Sequence, residues 1–272
     1  MDFLFIILSF AFLFTGLLTG FIAGLLGVGG GIIIVPISYF VLTKLGYSVN
    51  ISMHVAIASS LGVIFFTSIS SMLTHMKLNN IDFLVIKKWF LGIVTGSILG
   101  SIVGSQFDGR TLIIIFVIIL FSLSFNMFFQ RKFIIINNDL PKNRIINFFI
   151  SLVIGFFSVL IGIGGGSFSV PTLTAFSKSI HKSVGTSSLL GFFISVPGVV
   201  IYSFLGRNVD NLPPFSIGYS NLSIILFISL TSIFTANIGA KLSYKIKTIN
   251  LKKIFAVFLF CTCISLIIEN LV

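Results

Sequence analysis

Apolar runs follow one another along almost the whole chain, with only short polar breaks between them. Ten such runs occupy 3–28, 31–45, 54–75, 84–105, 111–130, 145–161, 167–177, 184–205, 217–240 and 251–270. Apolar residues make up 56% of the 272 residues and charged residues 8%, whereas soluble domains carry roughly 25% charged residues. Because about 20 apolar residues span a bilayer as a helix, we expect an all-α polytopic membrane protein. No long polar insert leaves room for a soluble catalytic or nucleotide-binding domain.

The second half of the chain repeats the first. GVGGGIIIVP (27–36) matches GIGGGSFSVP (162–171), HVAIASSL (54–61) matches KSVGTSSL (182–189), and LIIIFVIILF (112–121) aligns with LKKIFAVFLF (251–260). Three blocks in the same order at nearly the same spacing predict two homologous halves. We expect a first transmembrane repeat at 1–130, a cytoplasmic linker at 131–144 and a second transmembrane repeat at 145–272.

Positive charge predicts which side of the membrane each loop occupies. Fourteen of the 17 lysines and arginines fall in four breaks, at 77–88, 131–144, 178–182 and 241–253. By the positive-inside rule these four loops are cytoplasmic, and the loops around Lys44, Arg110 and Arg207 are outside. The net charge of +11 therefore reflects topology, and we expect the lipid bilayer as a partner and no nucleic acid.

Equivalent loops of the two halves carry opposite charge signals. Loop 77–88 is basic while its counterpart 206–216 is poor in lysine and arginine, and loop 106–110 is poor while its counterpart 241–253 is basic. The halves are therefore predicted to be inverted repeats, a plan typical of secondary transporters. Inversion requires an odd number of crossings in each half. We expect three full spans plus a hairpin of a glycine-broken helix and a short arm, giving eight long spans, two short arms and both termini outside.

The two glycine blocks are the first candidates for a substrate site, through Gly29, Gly30 and Gly31 and through Gly164, Gly165 and Gly166. Each Gly costs about 1 kcal/mol relative to Ala inside a helix, and unwound backbone at membrane depth is tolerated only beside a cavity or within protein. The arms that follow are too short to cross the hydrocarbon core. Each arm would begin with free N–H groups and a positive helix dipole, which favours an anion. Tight helix packing through small residues is the alternative.

Hydroxyl side chains form a second set of candidates: Ser59, Ser60, Thr186, Ser187 and Ser188, with Ser167 and Ser169 as weaker additions. Clustered hydroxyls in a span are able to hold an oxyanion as neutral donors. The alternative is that they bond back to carbonyl groups of their own helices.

Four further polar residues are assigned to the pathway. His54 and Lys182 precede the paired hydroxyl segments and are predicted to draw anions in at opposite membrane faces; interfacial snorkelling is the alternative. Asn126 and Asn237 lie in apolar runs and are weaker pathway candidates, since an interhelical hydrogen bond would also explain them.

The acidic residues indicate the sign of the substrate. All six lie in loops or near the termini, so no carboxylate is placed at mid-membrane for a cation site or a carboxylate proton relay. The histidines and the two cysteines form no three-ligand metal pattern. We therefore expect no metal, no cofactor and no catalytic residues, and a small anionic substrate held by helix dipoles and hydroxyls.

The segments GLLGVGGGIIIVP, IGIGGGSFSVP, ASSL and GTSSL, together with the two-half layout, resemble the TauE/SafE family of sulfite and organosulfonate exporters. The resemblance implies a bacterial inner-membrane permease that exports sulfite or a sulfonate such as sulfoacetate, here by alternating access. A transporter of another small organic anion, such as a short carboxylate, is the near alternative. An intramembrane enzyme or assembly factor is more distant, because no span contains a nucleophile, base or metal set. Coupling ion and oligomeric state are left open.

Overall fold

The computed structural model describes residues 2–27, 29–129, 135–243 and 248–271, with side chains for all of these except 2–7, 126–129, 248–255, 258 and 269–271. The helices in these ranges are α1 (Asp2–Leu26), α2 (Gly31–Lys44), α3 (Val49–Lys77), α4 (Phe83–Gln106), α5 (Gly109–Phe129), α6 (Arg144–Leu160), α7 (Gly166–Ala175), α8 (Ile180–Leu205), α9 (Leu222–Leu242) and α10 (Thr248–Leu271). Each apolar run of the sequence corresponds to one of these helices, with ends that differ by a few residues, so the predominantly helical architecture is confirmed.

The helices differ in whether they are long enough to cross a membrane. Among the described residues, five are long and apolar enough: Leu8–Leu26 of α1, and the whole of α3, α4, α8 and α9. The short arms have 14 residues in α2 and 10 in α7, or about 21 and 15 Å at 1.5 Å per residue. Both are shorter than a hydrocarbon core of about 30 Å. The predicted total of eight long spans stays a prediction.

One small element departs from the all-α prediction. Strands β1 (Ser216–Ile217) and β2 (Ser220–Asn221) form an antiparallel hairpin just before α9. Its turn passes through Gly218, whose φ of 55° lies in the left-handed region that glycine adopts without strain. The side chain of Asn221 fixes the hairpin by donating to the Pro214 carbonyl at 2.8 Å and to Ser216 Oγ at 3.0 Å. Hydropathy does not detect this hairpin because it lies within an apolar run.

Two long helix seams flank the centre. Helix α1 packs along α9, and α4 packs along α6. In both seams glycine lets backbones touch: a Cβ on Gly24 would overlap the Ala236 carbonyl, and one on Gly96 would overlap the Leu152 carbonyl. Small residues are the usual means of close helix packing in membranes. At the α4–α6 seam the buried Trp89 donates its Nε1–H to Asn147 Oδ1 at 3.2 Å.

Helices α3 and α8 form the centre of the molecule and run antiparallel. Near its start, α8 bonds through Thr186 to Asp82, which follows the end of α3. At the other end of the pair, His54 of α3 and Tyr202 of α8 both pack on the ring of Tyr219. Along α8, the 16 residues from Thr186 to Tyr202 separate these two contacts by about 24 Å.

The loops divide between two opposite faces along this axis. On one face Lys178 lies 3.2 Å from Asp82 and 3.5 Å from Asp139, and Lys77 and Lys241 line one groove. This end of the molecule is called the basic face. On the other face, Gly109 N–H donates to Asn50 Oδ1 at 2.8 Å, which joins the α4–α5 loop to the start of α3. The four basic loops of the sequence therefore each have a described residue on the same face.

Candidate functional site

The two glycine blocks meet at the centre, where they form what we call the glycine junction (Gly27 and 29–31, with 162–166). A Cβ atom on Gly29 would lie 2.8 Å from the Cα atom of Gly164, and one on Gly164 would lie 3.1 Å from the Cα atom of Gly29. Real Cβ atoms essentially never come within 3.0 Å of a heavy atom and rarely reach 3.1 Å, so the two blocks pack together without side chains between them. The structure thus brings the six candidate glycines into one place.

Each block ends by starting a short helix from a left-handed residue. Gly30 is the N-cap of α2 with φ 76°, and Gly165 is the N-cap of α7 with φ 68°. Other residues pay a steric penalty at these angles. A glycine N-cap offers no side chain to the first-turn N–H groups. Part of each first turn is bonded by backbone carbonyls instead, since Ile33 N–H donates to the Gly30 carbonyl at 3.0 Å and Gly166 N–H to the Gly164 carbonyl at 2.7 Å, and the remaining N–H groups are left for another acceptor. Two positive helix ends therefore begin at the junction, a geometry suited to an anion.

Hydroxyl groups of α3 and α8 hold the two glycine loops in matching ways. Ser60 Oγ donates to the Gly162 carbonyl at 2.8 Å, and Ser187 Oγ bonds the Gly27 carbonyl at 3.2 Å. Both serines are fully buried. Each hydroxyl thus contacts the loop more than 100 residues away along the chain, which was neither of the two roles weighed from the sequence.

The neighbouring hydroxyls hold the starts of two other helices, again in matching ways. Ser59 Oγ accepts from the Asn221 N–H at 3.0 Å, and Thr186 Oγ1 accepts from the Asp82 N–H at 2.9 Å. Asn221 and Asp82 are the N-caps of α9 and α4. The contacts therefore match Ser59 with Thr186, whereas the sequence alignment pairs Ser59 with Ser187, one residue later. In this register the match of His54 is His181 rather than Lys182.

The other predicted hydroxyls behave differently from one another. Ser188 Oγ donates to the Gly185 carbonyl of its own helix at 2.7 Å. Ser167 is 6% exposed, and its Oγ atom has no hydrogen-bond partner. Ser169 lies 2.6 Å from Ser187, oxygen to oxygen. Of the predicted donors, Ser167 is therefore the one that is buried and whose hydroxyl has no hydrogen-bond partner among the described residues.

A small cavity lies beside the glycine junction, on the side of the basic face. Its volume is about 10 Å³, space for about one water molecule. It is lined by Gly29, Gly164, Ser187 and Ser188, by Ala23 and Gly27, and by Thr67, Ser68 and Ser71 of α3. Ser71 is 2% exposed and its hydroxyl has no partner.

The sequence reading missed the hydroxyls of α3 that line this cavity. The signal was present in the run TSISS at 67–71. Ser60, Thr67 and Ser71 recur at helical spacing and so share one face of α3, the face that the cavity occupies.

The predicted entrance residues lie at opposite ends of the molecule and in different surroundings. His54 is 1% exposed, stacks on Tyr219 with ring centroids 4.7 Å apart, and bonds the Asn50 carbonyl through Nδ1 at 2.7 Å. Its Nε2 atom is buried without a partner. Lys182 is exposed in the first turn of α8. His54 is thus enclosed in an aromatic cluster, while Lys182 faces outward beside the basic loops.

The two predicted asparagines are not part of the junction. Asn237 accepts a hydrogen bond from Thr74 at 3.0 Å and lines a surface groove between α3 and α9. The side chain of Asn126 lies outside the described residues. In the part of the chain that the structure describes, no group of three His, Cys, Asp or Glu residues is placed to hold a metal ion.

An ion triad fixes the basic face next to the start of α8. Partial burial opposes ionisation of Asp82, but the hydrogen bond and charge of Lys178 outweigh it and lower the pKa of this carboxyl. Burial likewise opposes the charge of Lys178, and Asp82 and Asp139 outweigh it and raise the pKa of the lysine. All three groups are therefore charged at neutral pH, and they clamp three loops together.

Comparison with known proteins shows which family contains a chain with this glycine junction. The family model for the sulfite exporter TauE/SafE matches residues 12–266. The chain belongs to the TauE/SafE family. As a TauE/SafE protein it is an integral membrane transporter, embedded in the bilayer and acting on a small-molecule substrate.

Relatives of this TauE/SafE chain are named as transporters. A probable membrane transporter protein of Haemophilus influenzae is 31% identical over 259 residues, which cover 94% of this chain and 97% of that protein. The probable membrane transporter protein YunE of Bacillus subtilis is 31% identical over 212 residues, covering 71% and 77%. A probable membrane transporter protein of Methanocaldococcus jannaschii is 27% identical over 255 residues, covering 93% and 92%. No solved structure matches the chain.

Proposed function

We propose that this chain is a permease of the bacterial inner membrane that exports a small sulfur oxyanion, sulfite or an organosulfonate, and performs no catalysis. The observation that carries the proposal is the glycine junction, where the N-termini of α2 and α7 begin side by side without side-chain caps. Neutral donors and helix dipoles suit an oxyanion. The family description, a sulfite exporter, supports the choice of sulfur.

The transport cycle that we propose is alternating access of two inverted repeats, 1–130 and 145–272, with the linker 131–144 in the cytoplasm and both termini outside. Two observations support the inversion. Helices α3 and α8 run antiparallel, and Ser60 and Ser187 each bond the glycine loop of the other half. The cavity has room for about one water molecule. A sulfur oxyanion is larger, so its binding requires the elements around the junction to separate.

The membrane potential assists export of an anion. An inside-negative potential favours outward movement of an anion by ~2.3 kcal/mol per charge per 100 mV, about fiftyfold per charge. A coupling carboxylate is therefore not required.

Transport by vesicles that contain the purified protein tests the substrate. We expect saturable flux of sulfite, or of a sulfonate such as sulfoacetate, that exceeds flux of acetate and lactate at equal concentration. Flux of the carboxylates with none of the sulfur anions would replace the proposal by the short-carboxylate alternative.

Ser71→Ala tests the position of the site. Its buried hydroxyl has no partner, so the substitution has little to disturb in the fold. A hydrogen bond to a charged oxygen contributes about 1.5–3 kcal/mol, and we expect a loss of roughly ten- to hundredfold in apparent affinity. Ser195→Ala is the control, because Ser195 is buried and bonds its own helix at the Phe192 carbonyl. Equal affinities of both variants and the parent would place the site elsewhere.

A further inference from the structure

A groove separate from the glycine junction runs along the surface between α3 and α9. Its volume is about 420 Å³ and its walls are mainly apolar. It is lined by Phe66, Ile69, Ser70, Leu73, Thr74, Lys77 and Leu78 of the α3 side and by Ile233, Asn237 and Lys241 of α9. None of these residues lines the cavity beside the junction.

The length of the groove matches one leaflet of a bilayer. It extends along α3 from Phe66 to Lys77, about 16 Å at 1.5 Å per residue. Half of a hydrocarbon core of about 30 Å is nearly the same distance. Since Phe66 and Leu73 are exposed on a helix that is long and apolar enough to cross a membrane, the groove is open to lipid.

Positive charge is concentrated at one end of the groove. Lys77 and Lys241 close the end at the basic face, and both side chains are exposed. Neither forms an ion pair with a described residue, and the nearest described carboxylates of this face, Asp82 and Asp139, are bound to Lys178. Asn237 lies one helical turn deeper, about 6 Å below Lys241. The groove therefore has a cationic end at headgroup depth, a polar amide below it and an apolar floor.

We propose that this groove binds an anionic phospholipid, with an acyl chain along the α3–α9 groove and the phosphate between Lys77 and Lys241. Basic pockets between membrane helices on the cytoplasmic side are suited to anionic headgroups. Charge favours a lipid over a second copy of this chain, because a symmetric dimer at this surface would bring four lysines together.

Lipid binding to the purified full chain tests the proposal, with phosphatidylglycerol and phosphatidylcholine of identical acyl chains as probes and native mass spectrometry as the readout. We expect a preference of about thirtyfold for phosphatidylglycerol, which corresponds to about 1 kcal/mol for each lysine. The double variant Lys77→Gln/Lys241→Gln should lose this preference. The matched control is Lys87→Gln/Lys88→Gln, which removes two exposed lysines from α4 on the same face and should retain it.

A steric variant separates binding in the groove from binding to a charged surface. Leu73→Trp fills the groove at an exposed position, so we expect it to weaken phosphatidylglycerol binding at least tenfold while both lysines remain. Equal lipid selectivity of the two double lysine variants, or full binding by Leu73→Trp, would overturn the proposal. A dimer in the parent that Leu73→Trp dissociates would also overturn it and assign the groove to a second copy. Failure here leaves the export proposal intact, since its test measures flux and a different cavity.

Discussion

The two glycine blocks have matching backbones but unequal neighbours. Gly30 and Gly165 both adopt left-handed φ and both start a short helix. A Cβ on Gly30 would lie 3.2 Å from Cβ of Thr19, a tight contact, whereas a Cβ on Gly165 would overlap Cδ1 of Ile194. The backbone conformation is therefore needed at both positions, while an added Cβ is only tight at Gly30 and overlaps a side chain at Gly165.

The packing around the central helices also differs between the two sides of the junction. Towards the basic face, α3 presents Ser68 and Ser71 to a cavity. Towards the opposite face, Gly198 of α8 packs against Leu61 and Val159. One side is polar with residual space, and the other is apolar and filled. In the proposed cycle the filled side has to separate before the pathway reaches the second face.

The largest effect is expected where the two blocks touch. Gly29→Ala adds a Cβ 2.8 Å from the Gly164 backbone at a φ of 82°, and the left-handed angle alone costs about 1–2 kcal/mol. We expect at least a tenfold loss of flux per inserted molecule, measured in vesicles. Gly46→Ala is the control, since Gly46 has φ 90° but no atom within 4 Å of a new Cβ. Equal flux of the two variants would mean that close approach at the junction is not needed.

Alanine substitution at the two N-cap glycines tests whether the space around them differs. Gly30→Ala and Gly165→Ala share the left-handed strain, but Gly165→Ala also overlaps Ile194, and overpacking costs about 1–3 kcal/mol. We expect Gly165→Ala to unfold at the lower temperature. Ile194→Val removes Cδ1, so the pair Gly165→Ala/Ile194→Val should recover to the level of Gly30→Ala. No recovery would show that strain and not Ile194 causes the loss.

The hydroxyls that hold the loops are expected to affect stability moderately. Ser60→Ala leaves the Gly162 carbonyl without its buried donor, a loss of about 1–3 kcal/mol in the free energy of unfolding. Ser188→Ala removes only a bond within its own helix and should cost less than about 0.5 kcal/mol. Thermal unfolding of the two variants in detergent compares them. Weaker anion binding by Ser60→Ala with unchanged stability would instead assign this hydroxyl to the substrate.

The smallest effect concerns the two matching N-caps, one charged and one neutral. Asp82 has a pKa below its ordinary 3.8, so its contribution to stability is present above pH 3.8 and is lost as the pH falls through the lowered value. Asn221 caps α9 without a charge. Asp82→Asn should lower stability by up to about 1 kcal/mol at pH 7, and the difference should shrink as the pH falls below 3.8. Lys182→Gln, an exposed change on the same face, is the control and should leave the stability unchanged.

The sequence predicts the helices and the two short arms because both depend on local properties. Apolar runs specify membrane helices, and dense glycine followed by apolar residues marks the breaks at Gly30 and Gly165. The partners of the hydroxyls could not be predicted, because Ser60 and Gly162 meet only through the packing of α3 against the other half. The hydroxyl alignment was one residue off for the same reason. Ser59 pairs with Thr186 through contacts with Asn221 and Asp82, which sequence identity does not record.

The single tryptophan of the chain lies where two helices are fastened together. Trp89 is fully buried, and its Nε1–H is bonded to Asn147 across the α4–α6 seam. Its fluorescence should report whether this seam stays closed during transport. If α4 and α6 move as one rigid pair, the emission maximum will not change when substrate is added. If one helix slides past the other, the hydrogen bond between the Trp89 indole and Asn147 will break and the emission maximum will shift. Trp89 is thus an intrinsic fluorescent probe of helix movement at this seam, and no label has to be attached.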